Sequence, residues 1–246
     1  MTNNSATTNA DANLSASDTP NTCSNALSCD SEPTPTTAHA DSLTAMSCAS
    51  FAEDLASKKS VPGGGGAAAY AGALASALCS MTGNFTLGKK KYASVKSDIS
   101  RLLDECERTR VRLLTLVDED ARAFYPLAQA YSIPKDNPKR AQQIEECTKI
   151  ALQPPLEMMR EIAHVIEALE EMQEMGSRML QSDVGCGATM ATSAMQAASL
   201  NVFVNTKTLN DREYADAIER EADSLLEYVS RAQAVFDKVN AEIRNA

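Results

Sequence analysis

The chain has 246 residues, 43% of them hydrophobic and only 4% aromatic, and a formal net charge of −10 from 23 Lys+Arg against 33 Asp+Glu. That balance lacks the basic face a nucleic-acid footprint needs, and no run approaches the ~18 consecutive apolar residues that span a bilayer. With no Trp, an interior of Ala, Leu, Met, Ile and Val favours stacked helices over sheets.

Residues 1–45 are rich in Ser, Thr, Asn, Ala and Pro and hold five acids (Asp11, Asp18, Asp30, Glu32, Asp41) and no base. Little in them offsets the entropy of ordering, so a disordered tail is expected there, with a helical domain over 46–246. The first twenty residues contain no Lys or Arg and no apolar block, which argues against a secretory signal and makes the cytoplasm the expected compartment. The seven cysteines (23, 29, 48, 79, 106, 147 and 186) are odd in number and show no CxxC spacing, so they read as reduced thiols. Neither histidine has a Cys pair beside it, which leaves structural zinc unsupported.

From residue 47 the pattern is helical nearly throughout. A short amphipathic segment over 47–59 ends at SVPGGGG, and a second helix starts inside the glycines and runs AAAYAGALASALCSMTGNFT. Its alanines, serines and Gly72 permit close backbone approach, which predicts a central position in a bundle. Val95, Ile99, Leu102, Leu103, Cys106, Leu113, Leu114, Val117 and Ala121 recur at three and four. They predict a long amphipathic helix of about 30 residues, roughly 45 Å.

Asn137-Pro138 reads as an N-cap followed by Pro at the first helical position. Pro154-Pro155 should kink or divide the next helix, which resumes as LEMMREIAHVIEALEEMQEM and stops at Gly176. Ser182 reads as the cap of another Ala-rich helix, and a last helix runs from Asp211 to near the C-terminus. Nothing alternates at period two for long. The fold class is therefore all-α, a bundle of long, mostly antiparallel helices.

Catalytic signals are few. There is no GxSxG elbow and no HExxH or Glu-x-x-His motif, and His164, among Ile162, Val165 and Ile166, reads as a helix-side or core histidine. Acid–base work then falls to Asp, Glu, Lys or Tyr. The run Gly63-Gly64-Gly65-Gly66 at a helix start exposes N–H groups and the positive dipole end, which suits an anion; a linker or a tight helix crossing explains it equally. Lys89, Lys90 and Lys91, followed by Tyr92, form either a solvated face or an anchor for an anionic tail. Asp118 can fall on the wet side of its helix, but Asp120 neighbours Ala121 and Phe124 on the apolar side, where a carboxylate needs a partner or a function. Ser182-Asp183 is ordinary helix stabilisation or a functional pair.

Taken in order, VPGGGGAAA, TLGKKKY, TLVDEDARAF, SIPK, QSDVG and NVFVN resemble the folate-dependent cyclodeaminase/cyclohydrolase family over about residues 48–240. The resemblance implies an all-helical, intertwined homodimer with a folate site near the subunit interface and no metal or redox cofactor. It implies one of two reactions: hydrolysis of 5,10-methenyltetrahydrofolate to 10-formyltetrahydrofolate, or closure of 5-formiminotetrahydrofolate with loss of ammonia.

A carboxylate suits the delocalised amidinium cation of the methenyl bridge. Asp183, in the family's Ser-Asp motif, is the first candidate and Asp120 the second, with Tyr92 a possible proton donor. Lys89, Lys90, Lys91, the amides of the glycine run and Lys135 suit an anionic glutamyl or polyglutamyl tail. Asn201 and Asn205 suit the pterin edge. Two departures stand out: Gly66 where the family often has Ser, and Gly185 and Gly187 where alanine-like residues are common. Because no transferase segment precedes the match within these residues, the expectation tips to the cyclohydrolase. A non-catalytic helical scaffold is the rival reading from another class.

Overall fold

The structure, a computed structural model, describes residues 42–245. The expected tail therefore lies outside the described residues up to position 41, together with Cys23, Cys29 and His39. Leu43–Ala45, on the tail side of the expected boundary, forms a 3-10 turn pinned to the domain. The Ser42 hydroxyl and the Leu43 N–H donate to the two carboxylate oxygens of Asp118 at 2.6 and 2.8 Å.

Among the described residues there are eight α-helices and no strand: α1 (Cys48–Leu55), α2 (Gly64–Thr86), α3 (Lys96–Tyr131), α4 (Arg140–Ala151), α5 (Gln153–Met175), α6 (Gln181–Thr206), α7 (Arg212–Leu226) and α8 (Tyr228–Arg244). Three departures from the sequence expectations are local. α1 stops at Leu55. α4 begins at Arg140, capped by Lys139, because Asn137 instead closes a turn by accepting the Lys139 N–H on its side-chain oxygen at 2.9 Å. α6 begins one residue before Ser182, which is exposed and caps nothing, because the 3-10 turn Arg178–Leu180 leads straight into it.

The proline pair does divide its helix. Pro154 and Pro155 fall in the first turn of α5, where missing N–H groups leave nothing unsatisfied. Gly176 does end α5, at φ −73°, and the carbonyl oxygen of Met172 stands 2.5 Å from where its Cβ would lie. His164 is exposed on the outer side of α5 and lies 3.3 Å from Glu167.

α2 is the central helix. It packs along α3 on one side and α6 on another, with α5 behind. Small residues make this possible: a Cβ at Gly72 would lie 3.0 Å from Ile162 Cγ1 and 3.3 Å from Leu113 Cδ1. One at Gly187 of α6 would lie 2.9 Å from Leu169 Cδ2 and 3.3 Å from the carbonyl oxygen of Ala75. Larger side chains on α3 and α5, including Leu113, Leu116, Met159, Ile162 and Ile166, fill the space between helices and are fully buried.

α2 and α6 run antiparallel. Gly64 opens α2 beside Asn201 near the end of α6, and at the other end the N–H of Ser177, just before α6, donates to Thr86 Oγ1 at 2.8 Å. The two ends of α2 are some 33 Å apart at 1.5 Å per residue. Among the described residues no helix is long and apolar enough to cross a membrane, and the described cysteines (48, 79, 106, 147, 186) are all free.

Replacing Gly72 by Val should therefore push α2 away from Ile162 and Leu113. We expect a loss of about 1–3 kcal/mol of unfolding free energy in urea titration, with the helical circular dichroism retained.

Candidate active site

The N-terminus of α2 forms the floor of a cavity of about 210 Å³. Four stretches of chain close around it. The glycine run and Ser60 come from the segment entering α2, Asp120 and Phe124 from α3, Ala151 and Pro155 from the α4–α5 junction, and Asn201, Val204 and Asn205 from α6.

Asp120 explains one glycine. A Cβ at Gly65 would lie 2.6 Å from both carboxylate oxygens of Asp120, so only glycine admits the carboxylate at this distance from the α2 backbone. The other three are not sterically required. A Cβ at Gly64 would make ordinary contact with Asn201, one at Gly66 with Val117 and Pro62, and one at Gly63 would meet only the Ser60 carbonyl oxygen at 4.0 Å. A serine at position 66, common in the resembled family, therefore fits this backbone.

The carboxyl of Asp120 makes no ion pair among the described residues. Burial disfavours its charged form and raises its pKa to about 6, while the Gly66 amide facing it pulls the other way. A half-buried carboxylate poised near neutrality, in a cleft, is suited to taking and returning a proton.

Asn201 and Asn205 stand one turn apart on α6. Each side-chain amide donates to the carbonyl four residues back, Asn201 to Ala197 and Asn205 to Asn201, both at 2.8 Å. These bonds hold the amides in place and leave both side-chain oxygens available to a ligand.

The other expected site residues lie elsewhere in the chain. Lys89 and Lys90, with Lys96 and Tyr92, line a separate cavity of about 270 Å³ at the opposite end of α2, and Lys91 lies over the Tyr92 ring. Lys89 donates to Ser177 Oγ at 3.2 Å. Tyr92 accepts the Arg178 N–H at 3.1 Å, and that bond, together with Ser177 and the nearby lysines, lowers its pKa. Asp183, in the first turn of α6, shares that end of the bundle but lines neither cavity. It precedes Asn201 by 18 positions on α6, about 27 Å along the helix. Lys135, exposed in the connection after α3, lines neither cavity either.

Within one chain, then, the structure brings together Gly63, Gly64, Gly65, Asp120, Asn201 and Asn205, with Gly66 facing the Asp120 carboxyl. Sequence reasoning missed Phe124, Pro155 and Val204 as cavity walls. The Pro-Pro break was the one available signal, since it brings a helix junction to the site. Among the described residues no group of three or more His, Cys, Asp or Glu side chains is placed to hold a metal ion.

The chain is similar to proteins of known family. The profile described as formiminotransferase-cyclodeaminase matches residues 47–224. A methenyltetrahydrofolate cyclohydrolase of Methylorubrum extorquens is 36% identical over 198 residues, which cover 78% of this chain and 95% of that protein. A formimidoyltransferase-cyclodeaminase of Sus scrofa is 30% identical over 78% of this chain, but the chain spans only 36% of that longer protein. The crystal structure of a formiminotetrahydrofolate cyclodeaminase from Thermotoga maritima superposes with a TM-score of 0.71 at 26% identity, covering 80% of this chain and 98% of that one.

The raised pKa has a consequence for stability. Because Asp120 binds its proton more tightly in the folded than in the unfolded chain, its ionisation destabilises the fold above about pH 6, and the penalty fades as pH falls from about 6 to about 4, below which it is gone. Asp120→Asn should therefore be more stable than the parent by roughly 1–3 kcal/mol at pH 8, converging with it at low pH in urea titrations.

Proposed function

The chain belongs to the formiminotransferase-cyclodeaminase family, and on that premise we propose that it hydrolyses 5,10-methenyltetrahydrofolate to 10-formyltetrahydrofolate, with Asp120 as the acid–base group. The observation that carries the reading is the carboxyl of Asp120 against Gly65, half-buried and without an ion-pair partner, in a cavity walled by Asn201 and Asn205. At about 210 Å³ the cavity is below the ~300–1,000 Å³ usual for a drug-sized ligand. It takes the pterin and bridge while the tail remains outside.

The bridging methenyl carbon belongs to an amidinium cation. An ionised Asp120 beside it lowers the energy of that charge and accepts a proton as water adds to the carbon. The tetrahedral carbinol then collapses: the protonated acid delivers its proton to N5, the C–N5 bond breaks as the C–O bond of the carbinol becomes the formyl carbonyl on N10, and the hydroxyl proton passes to the freed Asp120 carboxylate and on to solvent. In this reading the reaction is proton transfer and water addition, carried out in the cytoplasm, and calls for no cofactor besides the folate substrate.

A second reading is supported by the Thermotoga neighbour and the Sus scrofa relative. There N10 attacks a 5-formimino carbon, and the same acid protonates the departing ammonia. The scaffold reading is disfavoured, because the unpaired Asp120 costs stability that a mere scaffold has no reason to retain.

A homodimer belongs to the proposal. α2 contains no charged residue, and Leu74, Leu78, Met81 and Phe85 form a stripe along it, with Leu74 40% and Phe85 57% exposed. Contiguous exposed apolar surface of this kind marks an interface. Antiparallel pairing of two such stripes would carry the lysine-bearing end of one copy toward the Asp120 cavity of the other, where Lys89, Lys90 and Lys91 would meet a glutamyl tail.

Purified protein should accelerate the decay of the methenyltetrahydrofolate chromophore above its spontaneous rate, with kcat falling as pH drops below about 6 and Asp120 becomes protonated. Asp120→Asn should lower kcat at least a hundredfold, whereas Asp183→Asn should retain most activity; the reverse ranking would transfer the acid–base role to Asp183. An unaccelerated chromophore together with ammonia release from formiminotetrahydrofolate would select the second reading. Leu74→Asp should convert a dimer to a monomer in light scattering and raise KM.

A further inference from the structure

We infer that Phe124 is a positioning residue, a hydrophobic platform that holds the flat pyrimidinone half of the pterin with the bridge carbon at Asp120; this rests on the folate reading above. Phe124 follows Asp120 by four residues on α3, so the two side chains project from one helix face a turn apart, and both line the cavity. The ring stands apart from the hydrophobic core. Phe124 stands outside the core cluster, is 37% exposed and pairs with no other aromatic ring among the described residues. Its exposed face and the half-buried Asp120 carboxyl both line the same cavity.

The rest of the cavity shows which part of a folate reaches that ring. Its lining is divided. Phe124, Ala151, Pro155 and Val204 form an apolar side, while Asp120, Asn201 and Asn205 present oxygens. A pterin matches the division, with a flat face to stack and an edge of N–H groups for the fixed Asn oxygens to accept. An anionic glutamyl tail does not match it, since the lining contains no Lys or Arg and Asp120 is itself negative when ionised. The molecule therefore enters ring first. The ring stacks on Phe124 and stops where the bridge carbon meets the carboxylate.

The test compares Phe124→Ala, Phe124→Leu and Phe124→Tyr with the parent. The probes are methenyltetrahydrofolate turnover and competition by two fragments, a tetrahydropterin without a tail and p-aminobenzoylglutamate. Phe124→Ala should raise KM roughly tenfold with kcat within about twofold, and should weaken the tetrahydropterin to a similar extent. Phe124→Tyr should restore most of the loss and Phe124→Leu part of it. An unchanged KM in Phe124→Ala would remove Phe124 while leaving the folate reading intact. So would a loss confined to p-aminobenzoylglutamate, which would place the benzoyl ring there instead. If the parent neither binds nor turns over a reduced folate, the platform and the folate reading fall together. Because Phe124 lies outside the core, the thermal midpoint of each variant should match that of the parent; a collapsed midpoint in Phe124→Leu as well would make the ring structural and overturn the inference.

Discussion

The close approach of the Asp120 carboxylate to the backbone of Gly65 is the contact on which the site depends. A carboxylate cannot reach that position past a Cβ, because both of its oxygens would lie 2.6 Å from one. The glycine therefore does more than start a helix. It lets α3 slide against the first turn of α2 until the half-buried acid faces the Gly66 amide. Burial then raises its pKa to about 6, and the Gly66 amide keeps the shift from going further.

The bundle is arranged to hold that contact. α2 is thin along its length, with Gly72 against Ile162 and Leu113 and Ala75 against Gly187, so α3, α5 and α6 can all pack directly on it. Elements far apart in sequence then converge at its N-terminus: Asp120 and Phe124 from α3, Pro155 from the start of α5, Asn201 and Asn205 from α6. Asp118, two residues before Asp120, holds the Ser42–Ala45 turn against the same stretch of α3. Neighbouring carboxylates in one helix thus have different environments. One is satisfied by a hydroxyl and an amide of the entering chain, and the other has no side-chain partner among the described residues.

The same antiparallel packing of α2 and α6 separates the remaining candidates. Tyr92, Asp183 and the three lysines sit about one length of α2 away, and Tyr92 and Lys89 bond to the turn that joins α5 to α6. Tyr92 receives the Arg178 amide and Lys89 donates to Ser177, so both bind the bundle end together whatever else they do. The lysines that follow α2 and the Asp120 cavity at its start thus lie at opposite ends of a helix that itself bears no charge and carries an exposed apolar stripe.

Helix class, the central place of α2, the break at Pro154-Pro155 and the stop at Gly176 were legible from composition and spacing, because each depends on local backbone chemistry or on a side chain too small to hold helices apart. Caps were less legible: Asn137 and Ser182 have the right side chains, but neighbouring turns moved the helix starts by one or two residues. Among the site residues, the sequence alone determined that acids, amides, lysines and glycines were available, together with the family pattern that joins them. Which acid is enclosed, which glycine is obligatory and which aromatic ring faces the cavity were decided only by tertiary structure. The reason is physical: spacing along a helix says which side chains share a face, whereas burial and a 2.6 Å approach depend on how far one helix slides along another.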